Sequence, residues 1–439
     1  MWATEAPLLN RRLITAAYIG SLGGFVFGSD LGALSAATAG LRASFNLSPW
    51  AFGFTISASV WGTVCGSMLA GRLADKHDRT NLIALSSALY ALASVGIMLS
   101  VSSGWVFVVA MRFFCGIAIG GFTVGCPLYL SEISPAKMRG WVVGFFQVQV
   151  GAGVIVAFWG SALLAHMGGP SVSWRWMLGL GALPAVASLI LVRSIPHIGS
   201  NHLGSDISPN LLQDELSSYS HEPYIQQRLF RKRNRRLILV ATSVAVFNQL
   251  SGVNIILVYM LEILASAGMS YSLGRTFTVL ISFLSLLTTL AGMAFVDRLG
   301  RKPLLYMGSA GMAVCLVTLG VLIPHHLAPL LYVCTLVTYN AFFAFSQGTV
   351  VWVYLSELFP PGLRGVGQGY GASVHWLASA VLIYIFPSVQ HASNVRIFYI
   401  FALMMAIQIV VIWLWYPETK GAALGSFAVA GGEGGHGLH

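Results

Sequence analysis

Tyr129-Leu-Ser-Glu-Ile-Ser-Pro-Ala-Lys-Met-Arg-Gly140 returns 225 residues later as Tyr354-Leu-Ser-Glu-Leu-Phe-Pro-Pro-Gly-Leu-Arg-Gly365, with seven of twelve positions identical. A second echo keeps almost the same offset, Asp75-Lys-His-Asp-Arg79 matching Asp297-Arg-Leu-Gly-Arg301. Two landmarks that keep their order and spacing mark an internal duplication. In an apolar chain, two homologous halves predict two helical bundles that share one central site.

Working outward, the 439 residues are 56% hydrophobic and 9% charged, with a mean hydropathy of +0.77. That is too little polar surface to coat a soluble globule of this size. About twelve apolar stretches reach the ~20 residues that a helix needs to cross a ~30 Å hydrocarbon core. They lie at 12–39, 51–71, 80–102, 105–129, 140–166, 174–193, 236–267, 273–296, 303–323, 329–356, 366–389 and 395–416, six on each side of one long polar segment. The fold class expected is an all-α membrane protein, twelve transmembrane helices in two pseudo-symmetric six-helix bundles.

The formal charge of +10 is read as topology. With both termini cytoplasmic, nineteen of the twenty-four Lys and Arg fall on the cytoplasmic side. Arg42, Arg175, Arg275 and Arg396 fall outside and Arg112 inside a span, the asymmetry that orients membrane helices. A multi-pass protein of the cell membrane is expected, with no nucleic-acid partner.

Residues 1–193 form the N-terminal bundle in this reading, 194–235 a cytoplasmic linker, 236–417 the C-terminal bundle and 418–439 a short disordered tail. Within the linker, Leu211 to Leu229 reads as short surface helices. The cluster Arg228, Arg231, Lys232, Arg233, Arg235 and Arg236 reads as an anchor on anionic lipid ahead of the seventh span. Cys65, Cys115, Cys126, Cys315 and Cys334 lack metal-like spacing and are expected to be small, reduced packing residues. The first apolar stretch is too long for a cleavable leader and is expected to stay as the first helix. No phosphate-binding loop, nucleophile constellation or metal set appears, so neither enzyme chemistry nor a cofactor is expected.

Gly71-Arg-Leu-Ala-Asp-Lys-His-Asp-Arg79 and Asp297-Arg-Leu-Gly-Arg301 set acids and bases together on short turns at the membrane edge. Two readings stay open, a topogenic charge cluster or ion pairs that tie helix ends together while the inside is shut. Isolated surface pairs contribute only ~0–1 kcal/mol, but they bias a two-state equilibrium when present in one state alone.

With these motifs, Arg112, Pro127-Leu-Tyr-Leu-Ser-Glu132, Asn248-Gln-Leu-Ser-Gly-Val-Asn254, Glu357-Leu-Phe-Pro360, Arg364-Gly365 and Pro417-Glu-Thr-Lys-Gly421, the whole chain resembles the sugar porters of the major facilitator superfamily. The resemblance implies the twelve-helix major facilitator fold, alternating access and a monosaccharide or similar polyol as substrate. It implies a cytoplasmic latch of Glu132, Arg139, Glu357 and Arg364, to which the edge motifs add Arg72, Asp75, Arg79, Asp297 and Arg301. The chain departs from the family pattern at Asp78, where Gly is usual, and at Asn248, Ser285 and Thr349. Asp78 adds a carboxylate to a tight turn and is expected to weaken or reshape that half of the latch.

A neutral sugar needs groups that both donate and accept, and an apolar plate for its C–H face; amides and indoles suit it. Gln147 and Gln149 point about 200° apart on the fifth span, and Gln147 is taken as the inward one. Asn248, Gln249 and Asn254 cluster on the seventh span. On an ideal helix Gln249 and Asn254 stand about 140° apart, so an unwinding at Gly252 is expected to turn both inward. Trp352 is expected to face the sugar, as its family position implies, Trp376 to pack or wall the cavity, and His375 to make a weaker polar contact. A bland reading also stands, in which the amides only bond between helices.

Asp30 is the one acid deep in a span, and the resemblance pairs it with Arg112. Burial favours the neutral acid and a nearby arginine the ionised one, so moving the arginine would load and unload a proton. The resemblance, in a family whose proton symporters tend to carry Asp here and whose passive facilitators carry a neutral residue, implies monosaccharide import with protons by a secondary active transporter. A static structural salt bridge is the other reading of the pair. The alternatives are a passive facilitator, an inositol or other polyol transporter, and a sensor that binds without transport, which would be expected to carry an extended signalling tail.

Overall fold

The computed structural model describes residues 11–100, 104–135, 138–165, 170–197, 229–266, 268–325, 329–360, 363–392 and 396–420. The surface helices expected at Leu211 to Leu229 lie outside these residues, save Leu229 itself, as does the tail beyond residue 420. Every regular element among the described residues is helical.

The described residues form twelve spans. Span one is Arg11–Gly20 continued by Leu22–Phe45, span two Pro49–Lys76, span three Arg79–Met98, span four Trp105–Ile133, span five Arg139–Ala165, and span six Pro170–Gly179 with Ala182–Leu191. Span seven is Arg235–Leu250 followed by Val253–Val258 and Met260–Ser266, span eight Tyr271–Leu299, and span nine Arg301–His325. Span ten is Pro329–Phe345 with Gln347–Leu358, span eleven Arg364–Ala392, and span twelve Arg396–Trp415. Eleven crossings are individually long and apolar enough to traverse a bilayer; span one, broken at Ser21 and rich in glycine, is not among those eleven. Its partner surfaces hold it in place instead. Large apolar side chains such as Leu92, Leu163 and Trp413 are 73%, 69% and 73% exposed, a surface suited to lipid rather than water.

Local chemistry sets the helix ends. Ser48 accepts the amide hydrogen of Ala51 with Pro49 at the first helical position of span two, and Asp78 accepts that of Thr80 to start span three. Small residues then let backbones meet. Gly24, Gly28 and Gly32, one turn apart on span one, lie against the backbone of Phe146, Val150 and Val154 on span five. Gly62 and Gly66 of span two meet span four, whose Gly116 and Gly120 face span two in return.

Broken spans expose backbone groups that lipid cannot satisfy, so side chains take over. At the break in span seven, Gly252 holds φ at 86°, a conformation that disfavours side chains, and a Cβ there would sit 2.5 Å from the Phe401 ring. The Tyr339 hydroxyl donates to the Ser251 carbonyl at 2.8 Å. At the break in span ten, the Thr349 hydroxyl donates to Ala344 at 3.1 Å, a bond that proline at this position would lack.

Two seams join the halves. Span two packs on span eleven, with Gly71 against Gly365 and Gly369, and span five packs on span eight, with Gly144 against Met293 and Gly151 against Leu286. All five cysteines are free; Cys115, Cys126 and Cys315 are packed inside, whereas Cys65 and Cys334 are exposed on the helix surface rather than packed.

Candidate functional site

The unwinding at Gly252 brings together residues that a straight helix would separate. The Asn254 amide donates to the Gln249 side-chain oxygen at 2.8 Å and to the Ser379 hydroxyl at 2.9 Å. The Gln249 amide donates to Asn248 at 3.1 Å and lies 2.8 Å from Nε2 of His375. Asn248 in turn reaches the Gln347 carbonyl at 3.5 Å. The amides of span seven thus mesh with span eleven, and uncharged donors and acceptors dominate the cluster.

Aromatic rings wall it. Trp352 lies 5.1 Å from His375, 6.4 Å from Trp376 and 5.9 Å from Phe146 of span five, while Trp376 stacks edge-on against Phe27 of span one at 5.2 Å. The Trp376 indole N–H is buried without a partner among the described residues. Gln147 is half-buried on the face between Gly144 and Gly151, the two glycines that meet span eight. Gln149 is 4% exposed and shares the side of Gly153, which meets Phe25 and Ser29 of span one.

A narrow cavity runs between the halves from this cluster. Phe27, Asp30 and Ser59 line it on one side and Asn254, Trp376 and Ser379 on the other. Its free volume of about 10 Å³ suits one water and no sugar. Asp30 and Arg112 pair at 2.6 Å, 3% and 1% exposed. The Tyr90 hydroxyl donates to the same Asp30 oxygen at 2.9 Å, and Arg112 donates also to Ser59 at 2.7 Å. Tyr90, Ser59 and Ser379 are additions that sequence reasoning missed. Ser379 was within reach, four residues beyond His375 on the same helix face; Tyr90 and Ser59 carry no local signal.

The duplicated motifs gather at one end of the bundles. Both carboxylate oxygens of Asp75 accept amide hydrogens across the seam, Gly365 at 2.9 Å and Val366 at 2.9 Å. Asp297 makes the counterpart contact, accepting from Trp141 at 2.9 Å. Glu132 pairs with Arg79 at 3.1 Å and with Arg364 of the other half at 3.9 Å. Arg301 pairs with Glu357 at 2.7 Å and Asp297 at 3.1 Å, and the charge of Arg139 reaches Glu357 from the opposite half. Arg72, by contrast, is exposed and forms no ion pair among the described residues. Asp78 caps span three and contacts Nδ1 of His197 at 3.0 Å, with the Arg79 pair intact beside it.

A family model described as "Sugar (and other) transporter" matches residues 16–197 and 206–430. The chain belongs to the sugar porters of the major facilitator superfamily. Among sugar porters it is 29% identical to the glucose transport protein of a Synechocystis strain, over 92% of this chain and 95% of that one. It is 26% identical to the D-xylose-proton symporter of Escherichia coli K12, over 92% and 93% of the two chains. A solved structure of the proton:xylose symporter XylE bound to 6-bromo-6-deoxy-D-glucose superposes with a TM-score of 0.82 at 23% identity, covering 94% of this chain and 98% of that one. At that identity the likeness shows the fold. This sugar porter is a multi-pass membrane transporter and not an enzyme.

Proposed function

We propose that this sugar porter imports a neutral monosaccharide together with protons across the cell membrane by alternating access. Residues 1–193 and 236–417 are the two moving bodies, and both termini and the motif end face the cytoplasm. The observation that carries the reading is that Asp30 lines the same cavity as Asn254 and Ser379, so a membrane-buried acid and an uncharged polar cluster share one space. Sugar hydroxyls suit the amides of Gln147, Asn248, Gln249 and Asn254, and the C–H face of the ring suits Trp352 and Trp376, with His375 holding Gln249 in place.

Asp30 carries the proton in this scheme. While ionised it holds Arg112 and Tyr90; once protonated it releases part of that grip, and spans one and four are free to shift with the sugar bound. Arg79, Glu132, Arg139, Arg301, Glu357 and Arg364, with Asp75 and Asp297, form a latch that stabilises the state shut toward the cytoplasm. Arg72 stands outside this latch. The relatives named for glucose and for xylose with protons support the substrate class. Counterflow of labelled glucose, xylose and myo-inositol into proteoliposomes tests the reading: exchange of at least one, driven uphill by an inward proton gradient, is expected, and exchange of none overturns it.

A further inference from the structure

Span eleven carries a buried amide that the cluster above leaves unused. Gln368 is 0% exposed, and both its side-chain oxygen and nitrogen lack a hydrogen-bond partner among the described residues. It sits seven residues before His375 and eleven before Ser379. On a helix the three side chains lie within about 20° of one direction, with Gln368 ~10 Å nearer the motif end than His375. His375 and Ser379 hold Gln249 and Asn254 in the central cluster. One turn the other way, Arg364 approaches Glu132.

The neighbouring glycines fix where this face looks. Gly365 and Gly369 lie against Asp75, Ser67 and Gly71 of span two, while Gly367 and Gly371 lie against Phe359 and Leu355 at the end of span ten. Gln368 falls between those two sets and points into the wedge between spans two and ten. Along span eleven Gln368 stands between His375, which meets the central cluster, and Arg364, which approaches Glu132. A buried amide without partners is costly, and an apolar side chain would fill the space at no such cost. The amide makes sense where a partner arrives in another state, and its adjacent donor and acceptor match two neighbouring hydroxyls of a sugar ring.

We propose that Gln368 is a second contact for a neutral hydroxylated ring, a release subsite that the sugar meets between the central cluster and the opening motif-end ion pairs. The inference rests on the transport reading above. It makes the affinity of the cytoplasmic face depend on Gln368, while the outer face does not.

The test compares wild type with Gln368→Leu and Gln368→Asn in right-side-out and inside-out membrane vesicles. The probe is whichever of labelled glucose, xylose or myo-inositol the wild type exchanges in counterflow. Gln368→Leu is expected to raise the half-saturation concentration in inside-out vesicles about fivefold or more, the scale of one or two neutral hydrogen bonds. Right-side-out vesicles should change less than about twofold, and Gln368→Asn should restore part of the inside affinity. An equal change on both faces, as from a merely structural role, overturns the subsite, and so does no change on either. Should Gln368→Leu not reach the membrane, Gln368→Met, which keeps length without the amide, is judged by the same criteria. Wild type that exchanges no sugar defeats the transport reading itself; active wild type with unaltered sidedness in the variants defeats only the subsite.

Discussion

Asp75 accepts the backbone amide hydrogen of Gly365 at 2.9 Å, and the glycine is what lets the carboxylate come so close. The contact joins the last turn of span two to the start of span eleven, hence one half of the duplication to the other. Its counterpart runs the opposite way, from Asp297 in the last turn of span eight to the start of span five at Trp141. At that corner a Cβ on Gly140 would stand 2.5 Å from the Asp297 carboxylate. Each copy of the acidic turn therefore caps a helix that opens with the other copy's Arg-Gly pair, where the helix dipole favours negative charge.

That geometry predicts a strong effect from a single methyl group. Gly365→Ala places a Cβ on the Asp75 carboxylate, so the motif end cannot close fully while the helices themselves persist. Transport is expected to fall at least about tenfold, equivalent to ~1.4 kcal/mol against the closed state. A cysteine introduced beside the seam should react faster with a polar maleimide applied to the motif end. Unchanged labelling would argue against the latch.

Asp30→Asn keeps the size of the side chain and removes its charge. Uphill accumulation of sugar should be lost, while exchange of sugar for sugar continues, because exchange needs no net proton movement. Accumulation that survives in this variant rules Asp30 out as the proton carrier. Arg112→Ala is expected to be worse for the fold, since it leaves a buried carboxylate unpaired at a cost of ~3–5 kcal/mol; it should show as a lowered melting temperature in detergent.

The double substitution Gln249→Ala with Asn254→Ala removes two amides that hydrogen-bond each other and span eleven. Specific counterflow is expected to fall more than about tenfold, each lost contact to a sugar hydroxyl being worth ~1 kcal/mol or more. Full retention would place the pocket elsewhere.

Gly252→Ala tests the break in span seven. The positive φ costs an L-residue ~1–2 kcal/mol, and the new methyl group also meets the Phe401 ring. Melting by intrinsic fluorescence should show the loss, and adding Phe401→Ala should relieve the crowding but not the backbone cost. A variant as stable as wild type would mean that the break does not need glycine.

The sequence by itself determined the class of the protein and its twofold repeat. Apolar stretches of span length leave a chain no option but helices in lipid, because the backbone must satisfy itself there. The duplicated Arg-Gly pairs and acidic turns marked the residues that meet at the motif end, though Arg72 shares the motif and stays out on the surface. Cooperation between distant spans was decided only in the tertiary structure. Tyr90 comes from span three to bind Asp30 of span one, sixty residues away, and Ser59 from span two to bind Arg112 of span four. Gln368, one polar residue among glycines, is noticeable only once its burial and lack of partners are seen. Helix periodicity tells which way a side chain points around its own axis; what stands opposite depends on how twelve helices pack, and no local pattern records that.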